Sequence, residues 1–265
     1  MYALNFVRKR QRRIVAAIVA GIGATGVTTL SIAAFLGHKT GSFTVSLETK
    51  SAQLTLSTKS SFQNRTSYLR VDELPEFHEY TYRNIKDLGD DVIDSEETDY
   101  TLGVTKDGKT TNFLKYTFFL KNVGKDAARY DFSLQIKDVV ASTDGRTLED
   151  TFRVMVYDSK WEKSEVFAKR LSQPSHYDEN GVADYSAPIS VDQANATADY
   201  PFEGYAKVFN SATEVMSEIG QDIGVGEVRK YTVVTWLEGF RSSNDQLAPE
   251  GASIKLGVEI NAYEN

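Results

Sequence analysis

The chain of 265 residues contains no cysteine and only three histidines. The absence of thiols excludes cysteine-ligated metal sites, a cysteine nucleophile and disulfide bonds. The histidines are His38, His78 and His176, and they form no His-Glu-x-x-His pair that would place two zinc ligands on one helical face. We therefore predict no metal site and no cofactor, and we interpret the three imidazoles as surface groups.

Motifs of nucleophilic and nucleotide chemistry are absent as well. The sequence has no Gly-x-Ser-x-Gly turn that would expose a serine nucleophile, and no Gly-x-x-x-x-Gly-Lys-Ser/Thr loop that would cradle phosphates. These absences argue against the common serine hydrolases and nucleoside triphosphatases. We predict that the protein is not an enzyme and has no catalytic residue.

The charge is distributed unevenly along the chain. The net charge is -7, yet the first 13 residues carry +5 and no acid, so the remainder carries -7 minus 5, or -12. The five basic residues are Arg8, Lys9, Arg10, Arg12 and Arg13. An acidic body repels phosphate backbones, and the basic cluster adjoins an apolar segment, so we predict no nucleic-acid partner.

The residues from Ile14 to Leu36 form a run without a charged side chain. As a helix these 23 residues would span about 34 Å at 1.5 Å per residue, enough to cross the roughly 30 Å hydrocarbon core of a bilayer. The preceding basic cluster favours a cytoplasmic N-terminus. We predict a basic cytoplasmic segment at 1–13, a transmembrane anchor at 14–36 and an extracytoplasmic domain at 37–265, which makes the membrane a partner.

The same segment fits a cleavable signal peptide. A basic region, an apolar region and the small residues Ser31, Ala33 and Ala34 near its end satisfy the pattern of secretory signals. Its length favours the anchor, because the apolar part of a signal peptide is usually about 7 to 15 residues long. The protein is thus expected either as a single-pass cell-membrane protein or, after cleavage, as a secreted one.

The body of the chain alternates polar and apolar residues, which is typical of β-strands with one buried face. The predicted strands lie at 42–47, 53–57, 100–104, 113–120, 128–136, 152–157, 205–209, 228–237 and 253–260. The connection at 48–52 is short enough for a hairpin between the first two strands, although it lacks an Asn-Gly or Asp-Gly turn. Repeated short strands without helical periodicity predict an all-β fold, an immunoglobulin-like or jelly-roll-like β-sandwich of roughly seven to ten strands.

Two loops stand apart from this pattern. Seven carboxylates crowd into residues 87–99, which reads either as a solvated acidic loop or as a calcium site, although the ordered spacing of an EF-hand is missing. Residues 174–201 form a long polar insertion, of the kind that is usually functional or mobile.

The two tryptophans have different settings. Trp236 continues the alternation of a strong strand, so we predict that it packs between the sheets. Trp161 has the charged neighbours Lys160, Glu162 and Lys163. An exposed aromatic side chain can anchor a partner, so Trp161 is our candidate for a partner-binding residue.

Four features occur in the same order in a known group of proteins. They are the basic N-terminus with its long apolar segment, the strand Gly-Ser-Phe-Thr-Val at 41–45, the aromatic strand ending in Leu-Lys-Asn-Val-Gly at 120–124, and the run VGEVRKYTVVTWLEG at 225–239. In these features the chain resembles the biofilm-matrix and camelysin-like family of exported bacterial surface proteins. The resemblance implies an immunoglobulin-like or jelly-roll-like fold, export to the cell surface, and assembly into fibres or matrix.

These observations lead to one functional hypothesis and one alternative. The first is a non-enzymatic, membrane-tethered or secreted surface protein that serves as a matrix or fibre component, an adhesin or an envelope assembly subunit, with itself or other cell-surface proteins as partners. The alternative is an extracytoplasmic carbohydrate- or peptide-binding module, or a hydrolase, that uses the acidic loops and exposed aromatic residues.

Overall fold

The structure is a computed structural model that describes residues 41–49, 52–74, 79–86, 95, 113–159, 163–190, 202–239 and 251–264. The chain divides into two units, Met1–Gly37 and His38–Asn265, and every described residue belongs to the second. Within these ranges no helix combines the length and the apolar character that crossing a bilayer requires. The predicted segment 14–36 lies outside the described residues.

Strands dominate the described residues. They are β1 (Gly41–Thr49), β2 (Leu54–Ser57), β3 (Tyr68–Leu74), β4 (Glu79–Tyr80), β5 (Leu114–Asn122), β6 (Ala128–Val140), β7 (Phe152–Asp158), β8 (Lys163–Ala168), β9 (His176–Tyr177), β10 (Ala183–Asp184), β11 (Lys207–Val208), β12 (Glu214–Ile223), β13 (Val228–Glu238) and β14 (Ser253–Glu264). One short helix, α1, covers Tyr82–Lys86. The predicted all-β class is confirmed.

The long strands form two sheets. One sheet has five strands in the order β12-β6-β14-β1-β3, and the other has seven, in the order β11-β8-β7-β13-β5-β2 with β4 beside β13. β9 and β10 form a separate two-stranded hairpin. Most neighbouring strands are antiparallel, as the alternating sequence pattern predicts.

The two sheets share one apolar core, so the domain is a sandwich-like pair of layers. Phe43 of the five-stranded sheet meets Tyr116 of the other at 5.0 Å between ring centroids, and Phe132 stacks on Tyr231 at 4.6 Å. The hydroxyl groups of Tyr130 and Tyr231 lie 2.6 Å apart and form a hydrogen bond across the core. Aromatic rings from alternate strand positions therefore join the layers.

The outer faces of the two sheets differ. β6 alternates buried and partly exposed residues, which confirms the predicted strand with one wet face. β13 is instead buried on both faces along most of its length. A second apolar cluster accounts for this difference, because α1 and residues near 187 and 206 cover the outer face of the seven-stranded sheet.

The predicted hairpin between the first two strands is wrong. β1 lies between β14 and β3 in the five-stranded sheet, parallel to β14 over nine paired positions, whereas β2 pairs with β5 in the other sheet. The short connection after Thr49 crosses between the layers. Sequence spacing alone does not distinguish a crossing of this length from a hairpin.

Three connections that pass from one sheet to the other lie together at one end of the domain, and hydrogen bonds of Asn122 link them. The Asn122 amide group donates to the carbonyl oxygens of Asp126 and Ile223, at 2.8 and 3.2 Å, and its side-chain oxygen accepts from the Gly124 amide at 2.8 Å. The neighbouring Val123 amide donates to the Gln53 carbonyl oxygen at 2.8 Å. We name this end the Asn122 corner.

Candidate binding surface

Most residues that the sequence singles out lie outside the described ranges. These are Trp161, His38, His78 and the carboxylates of residues 87–99. The partner-binding role of Trp161 and the calcium question therefore stay predictions. Of the singled-out side chains, His176 and Trp236 are described, and His176 lies on a surface feature of its own.

That feature is the β9–β10 hairpin, residues 175–186, which we name the aromatic ribbon. Asp178 closes its turn by accepting from the Asn180 and Val182 amides at 2.9 and 2.7 Å. Gly181 sits in the turn with φ of 77°, a backbone conformation that glycine adopts without strain. His176 pairs with Asp184 and Tyr177 pairs with Ala183, so these two pairs point to opposite faces.

The inner face of the ribbon packs against Tyr205. The His176 imidazole stacks on the Tyr205 ring with 3.6 Å between centroids and 12° between planes. Phe202 meets the same ring edge-on at 5.2 Å. The His176 side chain is 28% exposed, and the Tyr205 ring covers one face of its imidazole.

His176 also takes part in a chain of polar contacts that resembles a catalytic triad. Its Nδ1 lies 3.1 Å from the Ser175 hydroxyl oxygen, and its Nε2 lies 3.4 Å from an Asp184 carboxylate oxygen. Hydrogen bonds from the Ser186 hydroxyl and amide lower the pKa of the Asp184 carboxyl below its ordinary value. The carboxylate is therefore ionised at neutral pH.

Ser175, the serine in this series of contacts, is not arranged as a nucleophile. A serine hydroxyl has one proton, and the Ser175 hydroxyl donates it to the Ser186 carbonyl oxygen at 2.6 Å. In a working triad that proton points to the histidine, which removes it during attack. Ser175 therefore fixes the ribbon backbone, and the contacts with His176 orient the ring.

The outer face of the ribbon carries a different group. Tyr177 on this face is 66% exposed. Tyr185 follows directly after β10. The Arg170 guanidinium stacks over the Tyr185 ring at 4.0 Å from its centroid. The small Ala183 side chain stands opposite Tyr177 and leaves the tyrosine ring accessible.

Buried ionic groups of the seven-stranded sheet hold the segment that follows the ribbon. The Glu238 carboxylate, 1% exposed, accepts from the Ser190 hydroxyl at 2.8 Å, from the Trp236 indole at 2.7 Å and from the Tyr82 amide at 2.9 Å. Burial raises the pKa of the Glu238 carboxyl to about 6. One carboxylate thus joins β13, α1 and the segment at Ser190.

Arg153 holds the same segment from the neighbouring strand β7. Its guanidinium donates to the Pro188 carbonyl oxygen at 3.2 Å and to the Asp150 carbonyl oxygen at 3.2 Å. At the surface, Lys86 of α1 forms a 3.0 Å ion pair with Glu203. The ribbon therefore rises from a segment that is fixed to the sheet at several points.

Trp236 belongs to this outer cluster. Its predicted burial is confirmed, since it is 0% exposed, but its predicted position between the sheets is wrong. The ring lies on the outer face of the seven-stranded sheet and stacks with Tyr82 at 5.9 Å. Alternation correctly indicated that one face is buried, but it could not reveal that the other face is covered too.

Sequence reasoning did not identify the ribbon as a site, although a signal existed. The insertion and the four residues after it contain Tyr177, Tyr185, Tyr200, Phe202 and Tyr205 within a stretch that is largely polar. Aromatic residues at such density are unusual for a solvated loop, because exposed rings gain little unless they pack or bind.

Together these observations define an all-β protein of two packed sheets that carries an aromatic hairpin on its surface. No protein-family model, no curated protein and no solved structure matches the chain. Within the described residues, no group of three or more His, Asp or Glu side chains is placed to hold a metal ion.

Proposed function

We propose that the protein is a non-enzymatic bacterial cell-surface protein that acts through binding and assembly, as a matrix or fibre component, an adhesin or an envelope assembly subunit. One observation carries this proposal: the apolar segment ends at Leu36, and the first strand of the sandwich begins at Gly41. A membrane-crossing segment preceded by basic residues thus leads almost directly into the domain that it would display or release.

Strand order supports a jelly-roll form of the sandwich. Without β1 and β2, the eight remaining long strands follow the orders β12-β6-β14-β3 and β8-β7-β13-β5. Consecutive strands mostly alternate between the two layers, as in a double-sheet jelly roll. This order favours the jelly-roll-like expectation over the immunoglobulin-like one, and it agrees with the resemblance to biofilm-matrix and camelysin-like proteins.

The test is the location and the N-terminus of the mature protein. Intact mass is measured on material from the membrane fraction and from the medium, and intact cells are treated with a protease that does not enter them. We expect the domain to be accessible to the protease, with either an intact Met1 in the membrane or a start near Ala34 in the medium. A protected domain in the cytosolic fraction would refute the proposal.

A second function is favoured by the outer face of the aromatic ribbon. An extracytoplasmic carbohydrate- or peptide-binding module needs accessible rings on a rigid support, together with a few polar groups that fix orientation. Tyr177 supplies an accessible ring on the hairpin, and Arg170, stacked on Tyr185, is a polar group near the end of β10. The hydrolase version of this alternative draws no support from Ser175, whose proton is directed away from His176.

A further inference from the structure

We infer that Asn180, at the tip of the aromatic ribbon, is a site of spontaneous covalent modification, where the side chain cyclises onto the backbone and opens to isoaspartate. Asn180 precedes Gly181, and this is the only Asn-Gly pair in the sequence. The inference concerns the turn of the hairpin and does not depend on what the ribbon binds.

The reaction uses only the two residues and solvent water. The Gly181 amide nitrogen attacks the side-chain carbonyl carbon of Asn180, and the side-chain nitrogen leaves as ammonia with the proton that the attacking nitrogen loses. Water then opens the cyclic imide. Attack on the side-chain carbonyl gives aspartate, whereas attack on the backbone carbonyl gives isoaspartate, in which the main chain runs through the former side chain. Asparagine is accordingly one of the thermolabile residue types.

The surroundings of the pair leave room for this ring to close. Both residues are exposed, and a Cβ atom built on Gly181 would meet no atom beyond its chain neighbours within 4 Å. Glycine places no side chain of its own beside the attacking nitrogen. Within the described residues, no group forms a hydrogen bond with the Asn180 side-chain amide, so this amide is free to turn toward the backbone.

Three other described asparagines have their side chains held by hydrogen bonds. Asn84 accepts through its side-chain oxygen, and the side-chain amides of Asn122 and Asn210 donate to neighbouring oxygen atoms. Asn210 is exposed and precedes the small residue Ser211, whose amide donates to the Glu214 carbonyl oxygen at 3.0 Å. Asn210 is therefore an internal control within the same protein.

Asp178 slows the reaction because it holds the turn closed. Its backbone carbonyl oxygen accepts from the Gly181 amide at 2.9 Å, so the attacking nitrogen is engaged in a hydrogen bond. Its carboxylate accepts from the Asn180 and Val182 amides at 2.9 and 2.7 Å, which fixes the backbone on both sides of Gly181. The turn has to open before the nitrogen reaches the side chain, so loss of the carboxylate should raise the rate.

The product changes the ribbon itself. Isoaspartate inserts a methylene carbon into the main chain at the turn, and the turn geometry sets the register of the two strand pairs of the hairpin. The stacking of His176 on Tyr205 depends on that register. The modified hairpin should therefore open more easily and expose the bond after Tyr177 to proteolysis.

The inference is tested on full-length protein purified in detergent and incubated at neutral and mildly alkaline pH. Peptide mapping with electron-transfer fragmentation distinguishes asparagine, aspartate and isoaspartate, and digestion in heavy-oxygen water marks conversion that occurs during preparation. The variants are Asp178→Ala and Asp178→Asn, which keeps an acceptor oxygen for the two amides. Asn180→Gln is the control for proteolysis, because its longer side chain closes a ring far more slowly.

We expect Asn180 to convert to a mixture of aspartate and isoaspartate, faster at higher pH, while Asn210 stays unmodified. Asp178→Ala should raise the rate about tenfold, the factor that corresponds to two hydrogen bonds of ordinary strength. Asp178→Asn should stay within about twofold of the wild type. Chymotrypsin should cut after Tyr177 faster in aged than in fresh wild-type protein, and equally fast in aged and fresh Asn180→Gln.

Three results would overturn the modification site. They are conversion of Asn180 no faster than that of Asn210, formation of aspartate alone, and a rate that Asp178→Ala leaves unchanged. Equal cleavage after Tyr177 in aged and fresh wild-type protein would overturn the claim that the product opens the hairpin.

Discussion

At the scale of single residues, Glu238 is a charged group in a site that excludes water. Three donors from three segments compensate for the lost hydration, yet burial still raises the pKa of its carboxyl above the ordinary value of 4.5, to about 6. A shift of this size corresponds to about 2 kcal/mol between the protonated and ionised forms. The ionised form therefore lowers the stability of the folded domain at neutral pH.

This shift has a definite sign in a pH titration of stability. Because the pKa of Glu238 is higher in the folded state than in the unfolded state, the unfolded chain releases its proton first as the pH rises. We expect the Glu238 contribution to the free energy of unfolding to fall by about 2 kcal/mol between roughly pH 4.5 and 6.5. Urea unfolding at several pH values measures it.

Glu238→Gln isolates this contribution. An amide keeps an acceptor for the Trp236 and Tyr82 donors and can donate to the Ser190 hydroxyl, so the variant should fold and lose that part of the pH dependence. Glu259→Gln, on the polar face of the five-stranded sheet, is the matched control and should keep the slope. An unchanged slope in Glu238→Gln would contradict the assignment.

The hydroxyl pair of Tyr130 and Tyr231 gives a second prediction. Either single change to phenylalanine leaves the partner hydroxyl buried without its 2.6 Å contact and should cost about 1–2 kcal/mol. The double change removes both polar groups and should cost clearly less than the sum of the single changes. Urea unfolding of all four proteins completes the cycle, and additive costs would show that the two hydroxyls are not coupled.

At the scale of elements, the sequence predicted strands better than it predicted their partners. β5, β6, β7, β13 and β14 were evident, because each has a clear period of two in hydrophobicity. β3 was missed, since Arg70 and Asp72 interrupt an already short run of apolar residues. Ten strands have four or more residues, at the upper end of the expected seven to ten for the described part of the chain.

Pairing was beyond the reach of local patterns. β1 pairs with a strand that is far away in sequence, as the pairing of Phe43 with Leu256 shows. The choice of this partner depends on the arrangement of the whole sheet. The aromatic ribbon was hidden for a similar reason. Its contacts join His176 to Tyr205 across a long intervening segment, so no local pattern shows them.

The Asn122 corner provides a prediction at this scale. Asn122→Ala removes three hydrogen bonds at a site that is 1% exposed and should destabilise the domain by about 3 kcal/mol. The exposed Asn210 also bonds neighbouring side chains, and Asn210→Ala should change stability by about 0.5 kcal/mol or less. Thermal or urea unfolding compares the two variants.

Asn122→Asp tests the direction of those bonds. A carboxylate at this position would face the carbonyl oxygens of Asp126 and Ile223, to which the amide now donates. Its pKa in the folded state should rise, so stability should be lost as the pH rises and partly recovered in acid. A variant as stable as the wild type at pH 7 would show that the side-chain amide is oriented the other way.

At the scale of the whole molecule, the five-stranded sheet has two different ends along the direction of β1 and β14. The chain enters β1 at Gly41, beside Ile254 and Leu74, whereas Ala128 and the Asn122 corner adjoin the opposite end of β14. β1 alone covers about 30 Å between them. The three connections of the Asn122 corner therefore lie at the end of the domain opposite to the start of β1.

The parallel pairing of β1 with β14 has a mechanical consequence. The N-terminus leaves the start of β1 and the C-terminus leaves the end of β14, so tension between them slides the two strands past each other and loads their hydrogen bonds together. Tension between the N-terminus and Leu74 opens the antiparallel β1–β3 pair from its end, one bond at a time.

Single-molecule stretching should therefore record a higher unfolding force from the chain termini than from the N-terminus and Leu74. Equal forces for the two attachments would show that another element yields first. If the higher force is found, a protein held by its N-terminus and pulled at its far end would bear load through its first strand.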